Sequence, residues 1–109
     1  MNPKFPGTNP AFKYNEKLFP AGHSEKIHYH KSRMEVWVIL KGEAMITLEG
    51  MEFPVEAGGS VTIPRFHRHG LRVGTTLPLQ ILEIWIYPQA EEEGLEDDCF
   101  LVEEGSNDG

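Results

Sequence analysis

A chain of 109 residues, 39% of them hydrophobic, has material for one compact core and no room for a second. Its net charge of -7 is unevenly placed: residues 91–109 hold nine acidic and no basic side chains, which leaves the first ninety at +2 and argues against a nucleic-acid partner. No run approaches the roughly 18 apolar residues of a membrane span, the N-terminus lacks a secretory signal pattern, and Cys99 has no second cysteine to pair with, so a cytoplasmic protein is expected.

Residues 1–13, with Pro3, Pro6, Gly7 and Pro10, read as an extended N-terminal arm. A first strand is expected near 14–19, ended by a Pro20-Ala21-Gly22 turn. Further strands are expected at 35–40, 43–48, 51–55, 60–63, 69–73 and 79–87, each a β-rich run bounded by Gly or Pro. Glu49-Gly50 between two alternating runs predicts a tight hairpin, and Lys41-Gly42 and Ala57-Gly58-Gly59 mark the neighbouring connections. No helical period persists, so the chain is read as all-β, with its domain at 14–90 and an acidic tail at 91–109. Within the tail, 91–98 has room for one short polar helix, weakened by Gly94 and like charges. Cys99-Phe100-Leu101-Val102 has the makings of a short strand or docking segment, and the last five residues are expected to be disordered.

Chemistry concentrates in two places. His28 and His30 are two apart, so on a strand both side chains fall on one face, about 6.5–7 Å apart along the backbone. With a carboxylate from Glu35 they form an open set of nitrogen and oxygen donors suited to zinc, manganese, iron, cobalt or nickel. A fourth ligand has to come from His67 or His69, the only downstream histidines.

Gly22, His28, His30, Glu35 and Gly42 stand at the intervals G-x5-H-x-H-x4-E-x6-G, the first motif of the cupins, and the chain resembles that family. Gly58, Pro64 and His69 meet the second motif, G-x5-P-x-G-x2-H-x3-N, while Phe66 replaces its central glycine and Val73 its asparagine. Fifteen residues separate Gly42 from Gly58, similar to the short spacing of microbial cupins. The resemblance implies a cupin β-barrel (a jelly roll, or double-stranded β-helix) in which His28, His30, Glu35 and His69 hold one divalent transition metal. His67 then stands outside the ligand set. Phe66 lacks glycine's freedom at positive φ, so the turn before His69 either takes another path or holds Phe66 in strain, and in the first case His67 can exchange roles with His69.

A narrower resemblance is to the cupin domain of mannose-6-phosphate isomerases, particularly the type fused to mannose-1-phosphate guanylyltransferase. It is carried by Arg33-Met34-Glu35-Val36-Trp37-Val38-Ile39 (R-x-E-x-W-x-V), by the 42–50 segment (G-x-A-x-V-T-L-x-G), by Pro78-Leu79-Gln80-Ile81-Leu82-Glu83-Ile84 (P-L-x-I-I-E-V) and by Leu95-Glu96-Asp97-Asp98 (L-x-E-D-D). It implies a metal-dependent isomerase of a sugar phosphate. That chemistry needs an electrophile for the enediolate and a base to move a proton between adjacent carbons. Glu83, in an apolar strand, and His67 are the candidate catalytic residues, with Lys26 a weaker one. Lys26, Lys31, Arg33, Arg65, Arg68 and Arg72 flank the ligand segments as candidate anchors for an anionic sugar. Trp37, Trp85 and Tyr87 are expected in the core or an interface, with sugar stacking as the other use. A non-catalytic metal- or sugar-binding cupin and an iron-dependent oxygenase are the competing readings. The arm and the long apolar strand around Trp85 favour pairing of two subunits, so a homodimer is expected.

Overall fold

The computed structural model describes residues 11–88 and 98–102, and every regular element among them is a strand. The strands are β1 (Ala11–Phe19), β2 (His28–Tyr29), β3 (Met34–Lys41), β4 (Glu43–Leu48), β5 (Met51–Glu56), β6 (Ser60–Ile63), β7 (His69–Val73), β8 (Leu79–Tyr87) and β9 (Phe100–Leu101). They form a four-stranded sheet in the order β1-β8-β3-β6 and a five-stranded sheet in the order β5-β4-β7-β2-β9, with all pairings antiparallel. The architecture is that of a cupin jelly roll. Residues 1–10 of the expected arm, most of the expected tail helix and the chain end lie outside the described residues.

Alternation sets which side chains enter the barrel. In β3, Glu35, Trp37 and Ile39 are buried and alternate with half-buried neighbours; across the ladder they oppose Trp85, Glu83 and Ile81 of β8. The interior therefore divides along its length. Ile39, Leu79, Ile81, Val73, Ala44 and Ile46 fill one part as a continuous apolar core. Glu35, Glu83, His30 and His69 occupy the other, each at most 5% exposed. Trp37 stands between the two, its ring edge-on to His69 at 5.8 Å.

Two turns show how sequence becomes geometry. Glu49 and Gly50 both adopt positive φ (49° and 82°), the requirement of a two-residue hairpin whose twist matches its strands, and they join β4 to β5 as expected. Gly42, between β3 and β4, has φ 90°, and a Cβ there would run into the carbonyl oxygen of Pro78. No other residue type fits this corner without moving the backbone.

The first strand begins three residues earlier than the expected position 14, because β1 stays in register with β8 from Ala11↔Tyr87 to Phe19↔Leu79. The cluster at 99–102 supplies β9, which pairs with β2.

Candidate metal centre

His28 lies in β2 and faces His69 of β7 directly across the ladder. The strand stops at Tyr29, yet His30 still turns its ring to the same side, 5.1 Å from the rings of both His28 and His69. The His28 and His69 rings are 4.3 Å apart. One nitrogen from each of the three rings lies within 4.8 Å of the others. That is close to the roughly 4.2 Å that two nitrogen ligands at about 2.1 Å can span across one ion.

The hydrogen bonds decide which nitrogen is offered. His28 Nδ1 is 2.8 Å from the Lys26 carbonyl, His30 Nδ1 is 2.5 Å from the Asp98 carbonyl, and His69 Nδ1 is 3.0 Å from the His67 carbonyl. A carbonyl oxygen can only accept, so each Nδ1 carries the proton; Nε2 of His28 and His69 then presents a lone pair, while Nε2 of His30 faces the Glu35 carboxylate and donates to it. Among the described residues, His69 Nε2 is buried with no hydrogen-bond partner, an arrangement that costs stability unless something binds there. Three convergent imidazole nitrogens, one of them orphaned, fit a divalent transition metal that would displace the His30–Glu35 hydrogen bond.

Glu35 stands against this triad. Its Oε2 is 3.0 Å from His30 Nε2 and accepts from Arg33 Nε at 2.8 Å, while Oε1 accepts from Trp37 Nε1 at 2.7 Å. Burial alone would raise its pKa, but the hydrogen bond and charge of His30, the Trp37 bond and the Arg33 guanidinium outweigh it and hold the carboxyl at about 2. Arg33 is itself fixed, its guanidinium carbon 3.8 Å from the Trp85 ring centre.

A cavity of ≈ 390 Å³ opens onto the site. His28, His30 and Trp37 line it together with three cations, Lys17, Lys26 and Arg33, and three carboxylates, Glu25, Glu35 and Glu83. Cys99 and Leu101 complete the wall, and His69 lies fully buried beside it. Glu83 Oε1 accepts from Trp85 Nε1 at 2.8 Å and lies 3.4 Å from Lys17 Nζ. Burial, followed by the nearby charge of Glu35, raises the Glu83 pKa above the ordinary carboxylate value, and Lys17 and Trp85 offset this only in part.

The structure thus brings His28, His30, His69, Glu35 and Glu83 together around one cavity. His67 is neither among its lining residues nor in the triad; its Nδ1 donates to the Arg65 carbonyl at 3.1 Å. Phe66 takes the strained course, with φ 70°, and its N–H donates to the His30 carbonyl at 2.7 Å. The turn therefore keeps the path a glycine would give it, and His69 is the histidine delivered. Of the six candidate anchors only Lys26 and Arg33 reach the cavity; Lys17 of β1 joins them. Lys17 and Asp98 are the residues sequence reading missed. Asp98 had a signal in the L-x-E-D-D segment, whereas Lys17 had none, because only strand pairing brings β1 beside Glu83.

The fold and site define a class of protein: a small barrel with a histidine triad at the mouth of a polar cavity. Residues 16–87 match the Cupin domain family, and the chain belongs to it. Over 75 residues it is 33% identical to a mannose-1-phosphate guanylyltransferase of Klebsiella pneumoniae, covering 69% of this chain but only 16% of that protein. It is 30% identical over 78 residues to an uncharacterised protein of Methanocaldococcus jannaschii, covering 72% of this chain and 62% of the relative. In structure it is similar to a cupin protein from Bacteroides fragilis, with a TM-score of 0.66 and 21% identity over 80% of this chain and 81% of the other.

Proposed function

We propose that the chain is a metal-dependent isomerase of a sugar phosphate. The observation that carries this reading is the meeting, in one cavity, of His28 and His30, backed by the buried His69, with Glu83, a buried carboxyl whose raised pKa suits proton transfer. The similarity to part of the mannose-1-phosphate guanylyltransferases supports a sugar phosphate as the substrate class.

His28, His30 and His69 would hold a divalent metal through Nε2, with Glu35 as the fourth donor once Oε2 is released from His30. When bound, such a metal supplies Lewis-acid polarisation of substrate oxygens. Glu83 takes the proton from the carbon beside the carbonyl and returns it to the former carbonyl carbon, while the hydroxyl proton passes from one oxygen of the enediolate to the other. Lys17, 3.4 Å from Glu83, steadies the charge of the deprotonated carboxylate. Arg33 and Lys26 offer charge-assisted hydrogen bonds to an anionic group, and Trp37, Cys99 and Leu101 form the rest of the wall.

The test is deuterium exchange by NMR. Protein loaded with manganese, zinc or iron is incubated in heavy water with mannose 6-phosphate or fructose 6-phosphate. Deuterium is expected at the carbon next to the carbonyl, lost in His28→Ala, and slowed about a hundredfold or more in Glu83→Gln with metal binding retained. No uptake under any metal would remove the isomerase reading for these sugars and favour a ligand-binding cupin.

We also infer that two copies pair through the outer face of the four-stranded sheet. Phe12, Tyr14, Leu82, Ile84, Ile86, Met34, Val36 and Val38 form three adjacent apolar columns there by register, and Phe12 and Tyr14 are 64% and 74% exposed. Nine residues by three strands give a face of roughly 430 Å², about half of the ~800 Å² each partner buries in a standard interface. A second copy of the same apolar face is the complementary occupant.

A further inference from the structure

The three Nδ1–H groups of the triad are held in different ways. His28 and His69 each donate to a carbonyl two residues earlier in their own stretch of chain, so their orientation is settled locally. His30 donates to the Asp98 carbonyl, 68 positions away in sequence. The ring that also meets Glu35 and Arg33 is therefore oriented by the C-terminal segment.

That segment is fastened at several points. The Asp98 side chain, in a residue 4% exposed, accepts through Oδ1 from the Lys31 N–H at 2.7 Å and the Ser32 N–H at 3.0 Å. One residue thus grips the backbone immediately after His30 with its carboxylate and the His30 ring with its carbonyl. Beyond it, β9 pairs with β2 through Tyr29↔Phe100 and His28↔Leu101, and Val102 N–H donates to the Ile27 carbonyl at 3.0 Å. The Phe100 ring stacks on Tyr29 at 5.4 Å and lies 4.4 Å from Lys31 Nζ. Cys99 and Leu101, between these anchors, form part of the cavity wall.

We propose that segment 98–102 is a working part of the metal centre, with Asp98 as the positioning residue that fixes the His30 imidazole in its ligand tautomer and orientation. Such a carbonyl partner behind a ligating histidine fixes ring direction and raises basicity, and its loss costs about ten- to a hundredfold in metal affinity. For metal affinity the proposal rests on the metal-centre reading above; for the state of the His30 ring it does not.

The experiment uses the full chain, with cobalt(II) titrated by calorimetry and, in the metal-free protein, nitrogen NMR of labelled histidines to report each ring's tautomer. Asp98→Ala keeps the main-chain carbonyl but removes the carboxylate that holds it behind His30, and is expected to weaken cobalt binding by up to about ten- to a hundredfold. His30 should lose part of its Nδ1–H signature while His28 and His69 keep theirs. Asp98→Asn retains an oxygen for the Lys31 and Ser32 amides and should restore both readouts. If Asp98→Ala does not fold, Phe100→Ala loosens the segment while leaving Asp98 in place and should move the same readouts less far. Unchanged affinity together with an unchanged His30 tautomer in the folded variant overturns the proposal. A parent protein that binds no cobalt instead removes the metal-centre reading, and the His30 spectrum alone then decides the role of Asp98.

Discussion

His69 concentrates the physical tension of the site in one side chain. It is fully buried, its Nδ1–H is satisfied by the His67 carbonyl, and its Nε2 faces two other imidazoles. Burial holds its pKa down to about 4, against 6.5 for a free imidazole. The His67 carbonyl bond and the charge of Glu35 pull the other way, while His28 and His30 add to the lowering. The unfolded chain takes up this proton near 6.5, so between 6.5 and about 4 the unfolded state binds more protons than the folded one. The metal-free protein should therefore keep the full contribution above that window and lose up to about 3 kcal/mol as pH falls through it. Urea unfolding of chelator-treated protein, from neutral pH into the acid window, measures this. The loss should be smaller in His69→Gln, and an equal slope in both proteins would mean that other groups carry the acid sensitivity. A bound metal would add to the effect, since it requires the neutral imidazole.

At the scale of elements, the turn from β6 to β7 is where this chain departs from its family's pattern, and the backbone geometry shows how the departure is accommodated. Phe66, 56% exposed, occupies the left-handed region at φ 70°, held by its own N–H to the His30 carbonyl and by the His67 N–H to the Pro64 carbonyl. A non-glycine residue there stores about 1–3 kcal/mol of strain, and glycine's greater freedom in the unfolded chain returns about 0.5–1 kcal/mol of that on substitution. Phe66→Gly should therefore stabilise the protein by about 1 kcal/mol, read as a higher urea midpoint at unchanged slope. A variant no more stable than its parent would mean that the exposed ring, with the Arg65 guanidinium 5.6 Å away, contributes more than its exposure implies. The strands were legible because Gly, Pro and alternation mark them; β4, β6, β7 and β8 fall at the expected bounds. The start of β1 was not, because Ala11, Phe12 and Lys13 carry no strand signal of their own and are strand only through β8. That His28 and His30 turn their rings to one side was legible from spacing alone. The choice of His69 over His67 needed the turn.

For the whole molecule, the division into an apolar part and a polar part of the barrel sets what stabilises it and what it can bind. The outer face of the β1-β8-β3 sheet adds a third region, apolar and uncovered among the described residues. Light scattering should give twice the 12.4 kDa chain mass, and Ile84→Lys, at the centre of that face, should return the monomer without unfolding it. A monomeric parent at working concentration would overturn the pairing of two copies through this face. The sequence by itself determined the all-β class and the family, because these depend on periodicity, composition and spacing along the chain. Only the tertiary structure decided which of six cations reach the cavity, that Lys17 faces Glu83, and that Asp98 orients His30 from 68 residues away. Those relations are set by strand pairing between distant segments, and local spacing carries no record of which segments will pair.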